Sequence, residues 1–434
     1  MNNPLSLVNA RTGVVRSIEA RAIPAHFPAS FALSHAVLAD SRAFSKWPSD
    51  ASGAGYSFAN PEAVLGAAIG EAVERYCGNL VPAGLKRASR RDVQASGAAA
   101  IGLQEFCLFS REQYARPGFP VPAPDADTVI DWVPAQDLVD GTDVLVPASM
   151  VWVAHSLLVE PVRHPVIQAG LATGRSLEEA RWGGLCEVIE RDAMTLSWTG
   201  GRGVHELTVP KWLADFSRGP EGRLRTRWLL FATEFGVPVI GALVFDETTG
   251  YLTLGMGAGG DPVATAQKAY GEALQLQLFV SDYDDPHGPY MAAAQSPSSP
   301  LKPWRQDRSY SKDYAADLSD VVDYGCHLQL HIDPVIQRRF LDELETSIRG
   351  RLALDELSDE WTGEDRLERL VSALASQGHR VLCVEATTED IAPTGLRVVR
   401  MVVPGLYSNA PHALPFLGGT RLHPVIRRSV PLPH

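Results

Sequence analysis

Three segments of this chain echo one another, each placing glutamate at the same point of an apolar helical pattern: A-I-G-E-A-V-E-R (68–75), G-L-C-E-V-I-E-R (184–191) and A-Y-G-E-A-L-Q-L (269–276). The polar pairs are Glu71 with Glu74, Glu187 with Glu190, and Glu272 with Gln275. A spacing of three puts both members of a pair on one helical face. Small or apolar flanks such as Ala67, Ala68, Ile69, Gly183, Gly184 and Leu185 predict that these helices are buried. Ionised carboxylates crowded into a buried space repel unless a cation neutralises them. One Glu-x-x-Glu-Arg alone reads as a surface turn held by local Glu–Arg pairing, but two near-identical copies and a third partial one favour a shared site. Hard oxygen ligands without histidine or cysteine suit Mg²⁺ rather than Zn²⁺, and carboxylate-bound Mg²⁺ usually shares its shell with substrate phosphates. A nucleotide is therefore implied.

With 434 residues and 45% hydrophobic content, the chain can bury one large core or two subdomains, and no apolar run approaches membrane-spanning length. A soluble protein is expected, and the first residues lack the pattern of a signal peptide. Cys77, Cys107, Cys186, Cys326 and Cys383 are odd in number and scattered without paired metal spacing, which fits a reduced cytoplasm. The formal charge of −12, with no basic cluster, argues against a nucleic-acid binder.

The organisation expected is α+β. The Gly-rich S-G-A-G-Y-S (52–57) reads as a turn, in which Gly53 and Gly55 could present backbone N–H groups to phosphate before a first Glu helix at 61–79. After a Pro-rich connector at 117–125, strands are expected at 128–133 and 147–155. The second Glu helix is placed at 176–198, with Ser176 as N-cap and Glu179 at the third helical position. A helix at 223–235, paired strands at 237–245 and 251–258, and the third helix at 262–281 follow. Residues 285–304 are too rich in Pro and Ser for regular structure, and beyond them come helices at 334–347 and 364–377 and strands at 379–387 and 396–405. His155, His164, His205 and His423 stand isolated and read as structural or surface residues.

The paired glutamates, the stretch A-G-L-A-T-G-R-S-L-E-E-A-R-W-G-G-L-C-E-V-I-E-R-D-A (169–193) and V-V-P-G-L (402–406) together resemble the YcaO family, from about residue 50 to the C-terminus. The resemblance implies an N-terminal segment at 1–50, a YcaO-like catalytic domain at 51–434 with buried Glu-bearing helices on mixed sheets, and ATP with Mg²⁺ as cofactors. It makes Glu71, Glu74, Glu187 and Glu190 candidate metal ligands, and Glu179 and Gln275 candidate nucleotide contacts, while Glu272 could serve either role. Arg75 and Arg191 could neutralise charge on a transferring phosphoryl group or only pair with their own helices' carboxylates. Many relatives carry Gly-Lys-Gly where this chain has Gly53-Ala54-Gly55, and azoline-forming members often end in Pro-x-Pro-x-Pro where this one ends V-P-L-P-H (430–434). His434, the last residue, is a candidate acid–base group.

The implied function is an ATP-dependent cyclodehydratase that phosphorylates backbone amide oxygens and forms thiazoline or oxazoline rings at Cys, Ser or Thr of a ribosomally made precursor peptide. A leader-binding partner resembling a ubiquitin-activating enzyme is expected, since no Rossmann fingerprint or Cys-x-x-Cys pair betrays a fused one. No nucleic-acid or membrane partner is expected, and a homodimer is compatible with this reading. The alternatives are a thioamide or amidine synthetase using an external nucleophile, and a non-catalytic adaptor. A di-metal redox bundle is disfavoured because its Glu-x-x-His pairs are absent from these helices.

Overall fold

The computed structural model describes residues 3–159, 161–422 and 428–434; His423 lies outside them. The chain is α+β, with fourteen strands among the described residues in three sheets. The strands are β1 (Val15–Ala20), β2 (Ala32–Leu38), β3 (Ser52–Ser57), β4 (Lys86–Ser89), β5 (Val129–Asp137), β6 (Asp143–Pro147) and β7 (Leu171–Gly174). The second half supplies β8 (Val204–Thr208), β9 (Leu224–Leu230), β10 (Val239–Asp246), β11 (Leu252–Ala258), β12 (Ile348–Ala353), β13 (Leu382–Glu385) and β14 (Arg397–Val402). Among the described residues five helices exceed two turns: α1 (Pro61–Asn79), α2 (Leu177–Trp198), α3 (Pro262–Tyr283), α4 (Pro334–Ser347) and α5 (Arg366–Ser376).

The first sheet runs β1-β2-β3, all antiparallel, with Ala32–Val37 of β2 paired to Ser57–Ser52 of β3. The second runs β11-β10-β9-β8-β12, and only its β8–β12 pair is parallel. The third runs β4-β5-β13-β14-β7, with β6 also on β5. α1 packs on β3 and β7, α2 on β7, β14 and β11, and α3 on β11, β10 and β3. The three Glu helices thus tie the three sheets together, and the largest apolar core lies between α2 and the β9–β11 sheet.

Three expectations are corrected. S-G-A-G-Y-S is strand β3, not a turn, because its glycines admit α1: a Cβ on Gly53 would overlap the Ala72 nitrogen, and one on Gly55 the Ala68 nitrogen. The helix expected at 223–235 is instead strand β9, Leu224–Leu230, followed by irregular chain; hydrogen bonds to β8 and β10 override the helix-compatible spacing of its leucines and Trp228. Residues 147–155 hold no strand beyond Pro147; a 3₁₀ turn at Ala148–Met150 and a short helix at Val153–Leu158 replace it. The Pro- and Ser-rich 285–304 contains one short helix, Pro289–Ala293. His155 and His164 are buried, bonded to Asp131 Oδ2 at 3.0 Å and Ser149 Oγ at 3.2 Å. All five cysteines are free and buried, and no helix among the described residues is long and apolar enough to cross a membrane.

One buried ion pair fixes the late part of the chain to α2. Asp192 accepts from Arg421 Nη1 at 2.6 Å and Nη2 at 2.8 Å, and from the Tyr407 N–H at 2.8 Å. Removing the carboxylate takes two charge-assisted hydrogen bonds from a largely buried guanidinium and leaves it Glu234 as its remaining carboxylate, so Asp192→Ala is expected to lower unfolding free energy by about 2–3 kcal/mol. Denaturant titration checks this; a loss below about 1 kcal/mol, the worth of a surface pair, contradicts it.

Candidate active site

Each Glu helix begins in the same way. Asn60 Oδ1 accepts the Ala63 N–H at 2.8 Å, Ser176 Oγ the Glu179 N–H at 3.1 Å, and Asp261 Oδ1 the Ala264 N–H at 2.9 Å. The first glutamate stands eleven residues after the cap in all three helices, at 60 to 71, 176 to 187 and 261 to 272. Eleven residues are close to three full turns, so cap and glutamate share a face. Since β3, β7 and β11 each lead into one of these caps, the echo in sequence is a strand–turn–helix unit built three times.

The carboxylates meet in one space. Glu74 is pushed up to about 8 by burial, with Glu187 and Glu71 adding like charge. Burial also raises Glu71, Glu190 and Glu272, and Glu190 and Glu272 each sense the other's charge or that of Glu187. Two glutamates are held by backbone: Glu187 Oε2 accepts the Gly170 N–H at 3.0 Å, and Glu272 Oε2 the Met256 N–H at 2.5 Å. Tyr56 on β3 sits among Glu272, Glu190 and Glu71, and its phenol, held well above its ordinary value mainly by burial, donates to the Lys268 carbonyl at 2.7 Å.

An open cleft of about 620 Å³ adjoins this cluster, bounded by β3, α1 and α3, with Gly55, Tyr56, Phe58, Glu71, Gln267 and Lys268 in its wall. Ala67 and Gly183, expected to be buried, are exposed, and Ala67 lines the cleft. The donor set is all oxygen, burial opposes ionisation of Glu71, Glu74, Glu190 and Glu272, and Lys268 faces the cleft; these features fit Mg²⁺ with a polyphosphate. Among the described residues no three of His, Cys, Asp and Glu close tightly enough to hold an ion alone. Mg²⁺ takes one or two carboxylates and completes its shell with water and phosphate.

Both arginines pair with their own helices and also reach across. Arg75 donates to Glu71 Oε1 at 3.3 Å and to Gln168 Oε1 at 2.5 Å; Arg191 lies 3.4 Å from Glu190 and 3.7 Å from Glu187. Arg191 also donates to His434 Nε2, while His434 Nδ1 donates to the Leu254 carbonyl at 3.0 Å. Burial, with Arg191 adjoining, lowers His434 to about 4, so it is a neutral imidazole at pH 7. The last residues run as a strap along α2 and β11: Pro431 O accepts from His331 Nε2 at 2.9 Å and Pro433 O from Leu254 N at 2.7 Å.

The structure places other expected residues differently. Gly55 lines the cleft, whereas Gly53 serves the closeness of β3 and α1. Glu179 is exposed at the start of α2, where its Oε2 accepts the Arg175 N–H at 2.8 Å. Gln275 is half-buried one turn beyond Glu272. Sequence reasoning missed Lys268, Tyr56, Gln168 and Arg400. Lys268 had a signal: it lies four residues before Glu272 and so shares its face. Against burial, the neighbouring Glu190 and Glu272 carboxylates raise its affinity for a proton and keep it charged. It lines the same cleft as Ala54, the residue between the two glycines of β3.

Residues 54–407 match the family described as YcaO cyclodehydratase, ATP- and Mg²⁺-binding. The chain belongs to the YcaO family. ATP and Mg²⁺ are the cofactors this membership carries. A heterocyclase solved with substrate and cofactor shares the fold, with a TM-score of 0.66 and 22% identity over 97% of this chain and 54% of that one. YcaO from Methanopyrus kandleri, solved with AMPPCP and Mg²⁺, gives 0.59 and 21% identity over 90% of this chain and 86% of that one. The E. coli microcin synthetase McbBCD complex contains a chain at 0.64 and 15% identity, with 98% of each covered. A curated relative, an uncharacterized protein in the tfuA 3' region of Rhizobium leguminosarum bv. trifolii, is 26% identical over 284 residues, which are 60% of this YcaO chain and 60% of the relative. The chain thus spans little more than half of that heterocyclase and three-fifths of the curated relative.

Proposed function

We propose that this YcaO protein is an ATP-dependent cyclodehydratase that forms thiazoline or oxazoline rings at Cys, Ser or Thr of a ribosomally made precursor peptide, with its catalytic domain at 51–434. The observation that carries the reading is the convergence of Glu71, Glu74, Glu187, Glu190 and Glu272 beside a cleft walled by Lys268, in a chain of a cyclodehydratase family. When bound, MgATP supplies the phosphoryl group that makes a peptide amide oxygen leave as phosphate after a neighbouring side chain has attacked the carbonyl carbon. The glutamates would hold Mg²⁺, with Glu272 fixed by the Met256 N–H, and Gly55, which lines the cleft, would contact the nucleotide. Lys268, Arg75 and Arg191 would neutralise phosphate charge. His434 holds Arg191 from the side of the strap.

A partner that captures the substrate's leader is part of the proposal. Its support is that a heterocyclase solved with substrate and the E. coli microcin synthetase McbBCD complex solved with pro-MccB17 bound share the fold. With partner and peptide supplied, ATP should be converted to ADP and phosphate only when Mg²⁺ is present. A peptide stripped of Cys, Ser and Thr should emerge unmodified; its modification by ATP alone would sink the proposed ring chemistry.

A further inference from the structure

Arg400 on β14 is 1% exposed, yet its guanidinium is satisfied by main-chain carbonyls. Nε donates to Val151 O at 2.9 Å, Nη1 to Gln168 O at 2.7 Å and Ala169 O at 2.8 Å, and Nη2 to Ile167 O at 3.1 Å. A guanidinium offers its donors in a rigid planar fork, so the carbonyls of three consecutive residues, 167 to 169, are turned towards one group. In a trans peptide the C=O and the following N–H point opposite ways. Seating Ala169 O on Arg400 therefore aims the Gly170 N–H away from it, and there it meets Glu187 Oε2 at 3.0 Å. From the same turn the Gln168 side chain accepts from Arg75 Nη1 at 2.5 Å. Gly170 is locked in turn: its φ is +90°, its carbonyl accepts the Met401 N–H at 2.7 Å, and a Cβ there would overlap the Met401 carbonyl.

We propose that Arg400 is a positioning residue which, by organising the 167–170 loop, sets the orientation of Glu187 and of Arg75 across the nucleotide site. The inference rests on the nucleotide reading above. One buried side chain on the third sheet then governs a carboxylate on α2 and a guanidinium on α1, which approach from different elements.

Arg400→Lys keeps the charge and loses the fork, and Gln168→Ala removes an exposed acceptor without touching the core. The test is calorimetric titration of the full chain with AMPPCP in Mg²⁺, alongside thermal unfolding of the ligand-free proteins. Arg400→Lys should weaken AMPPCP by about 10-fold or more, as loss of a group that orients a metal ligand does. Gln168→Ala should weaken it about fivefold, the worth of one hydrogen bond, with an unchanged unfolding temperature. The double variant should bind no worse than Arg400→Lys alone, because a loosened loop no longer presents residue 168. Wild-type affinity in Arg400→Lys, or losses that multiply in the double variant, would overturn the proposal and leave Arg400 a purely structural residue. Should Arg400→Lys not fold, Gln168→Ala decides alone, and wild-type affinity there overturns it. Absence of AMPPCP binding by the wild-type chain would instead overturn the nucleotide reading itself.

Discussion

Glu187→Gln is expected to lower ATP-dependent turnover by about 100-fold or more while leaving the protein folded, and Glu71→Gln should do the same. Glutamine keeps the shape of the side chain and an oxygen able to accept the Gly170 N–H, so the contact that fixes residue 187 survives. What disappears is a negative charge in a cluster where burial and like charges already oppose ionisation. Without Mg²⁺ that loss relieves repulsion, so the ligand-free variants should unfold no earlier than wild type. With Mg²⁺ and ATP it removes part of what holds the cation. Turnover assays paired with thermal unfolding separate the two effects. Full activity with both glutamates replaced would remove the basis for placing Mg²⁺ here.

Deleting Pro433 and His434 is expected to reduce turnover by about 100-fold, on the order of losing a group that acts mainly in the transition state, with much less effect on nucleotide affinity. The strap ends on Arg191, which lies beside Glu187 and Glu190, so its removal exposes that guanidinium to solvent and frees it to collapse onto its own helix's carboxylates. The cleft wall formed by β3, α1 and α3 does not include the strap, and nucleotide binding should therefore persist. Leu254 loses two hydrogen-bond partners at the edge of its sheet, a modest cost in stability. Equal turnover in the shortened and full chains would deny His434 any chemical role.

The Glu helices were legible because local and tertiary signals agreed. Asn60 with Pro61, Ser176, and Asp261 with Pro262 are strong starts, and the eleven-residue interval to each glutamate is visible in the sequence once the caps are known. Where tertiary context decides, the sequence misled. The S-G-A-G-Y-S glycines suggest a turn, and only the approach of α1 explains them as a strand. The leucines and Trp228 of β9 fit either period, and the pairing of β8 and β10 chooses the strand. Lys268 carried a local signal, standing four residues before Glu272 on the same helical face. Arg400 carried none, since its significance lies in carbonyls from residues more than 200 positions away.

The mass of the peptide product tests the central claim most directly. In cyclodehydration the backbone oxygen leaves as phosphate and the attacking atom already belongs to the peptide, so each ring removes one water. With partner, precursor peptide, ATP and Mg²⁺ supplied, mass spectrometry should show successive losses of water confined to Cys, Ser or Thr. A product that instead gains mass, and only when sulfide is added, would contradict ring formation and assign the site to thioamide synthesis.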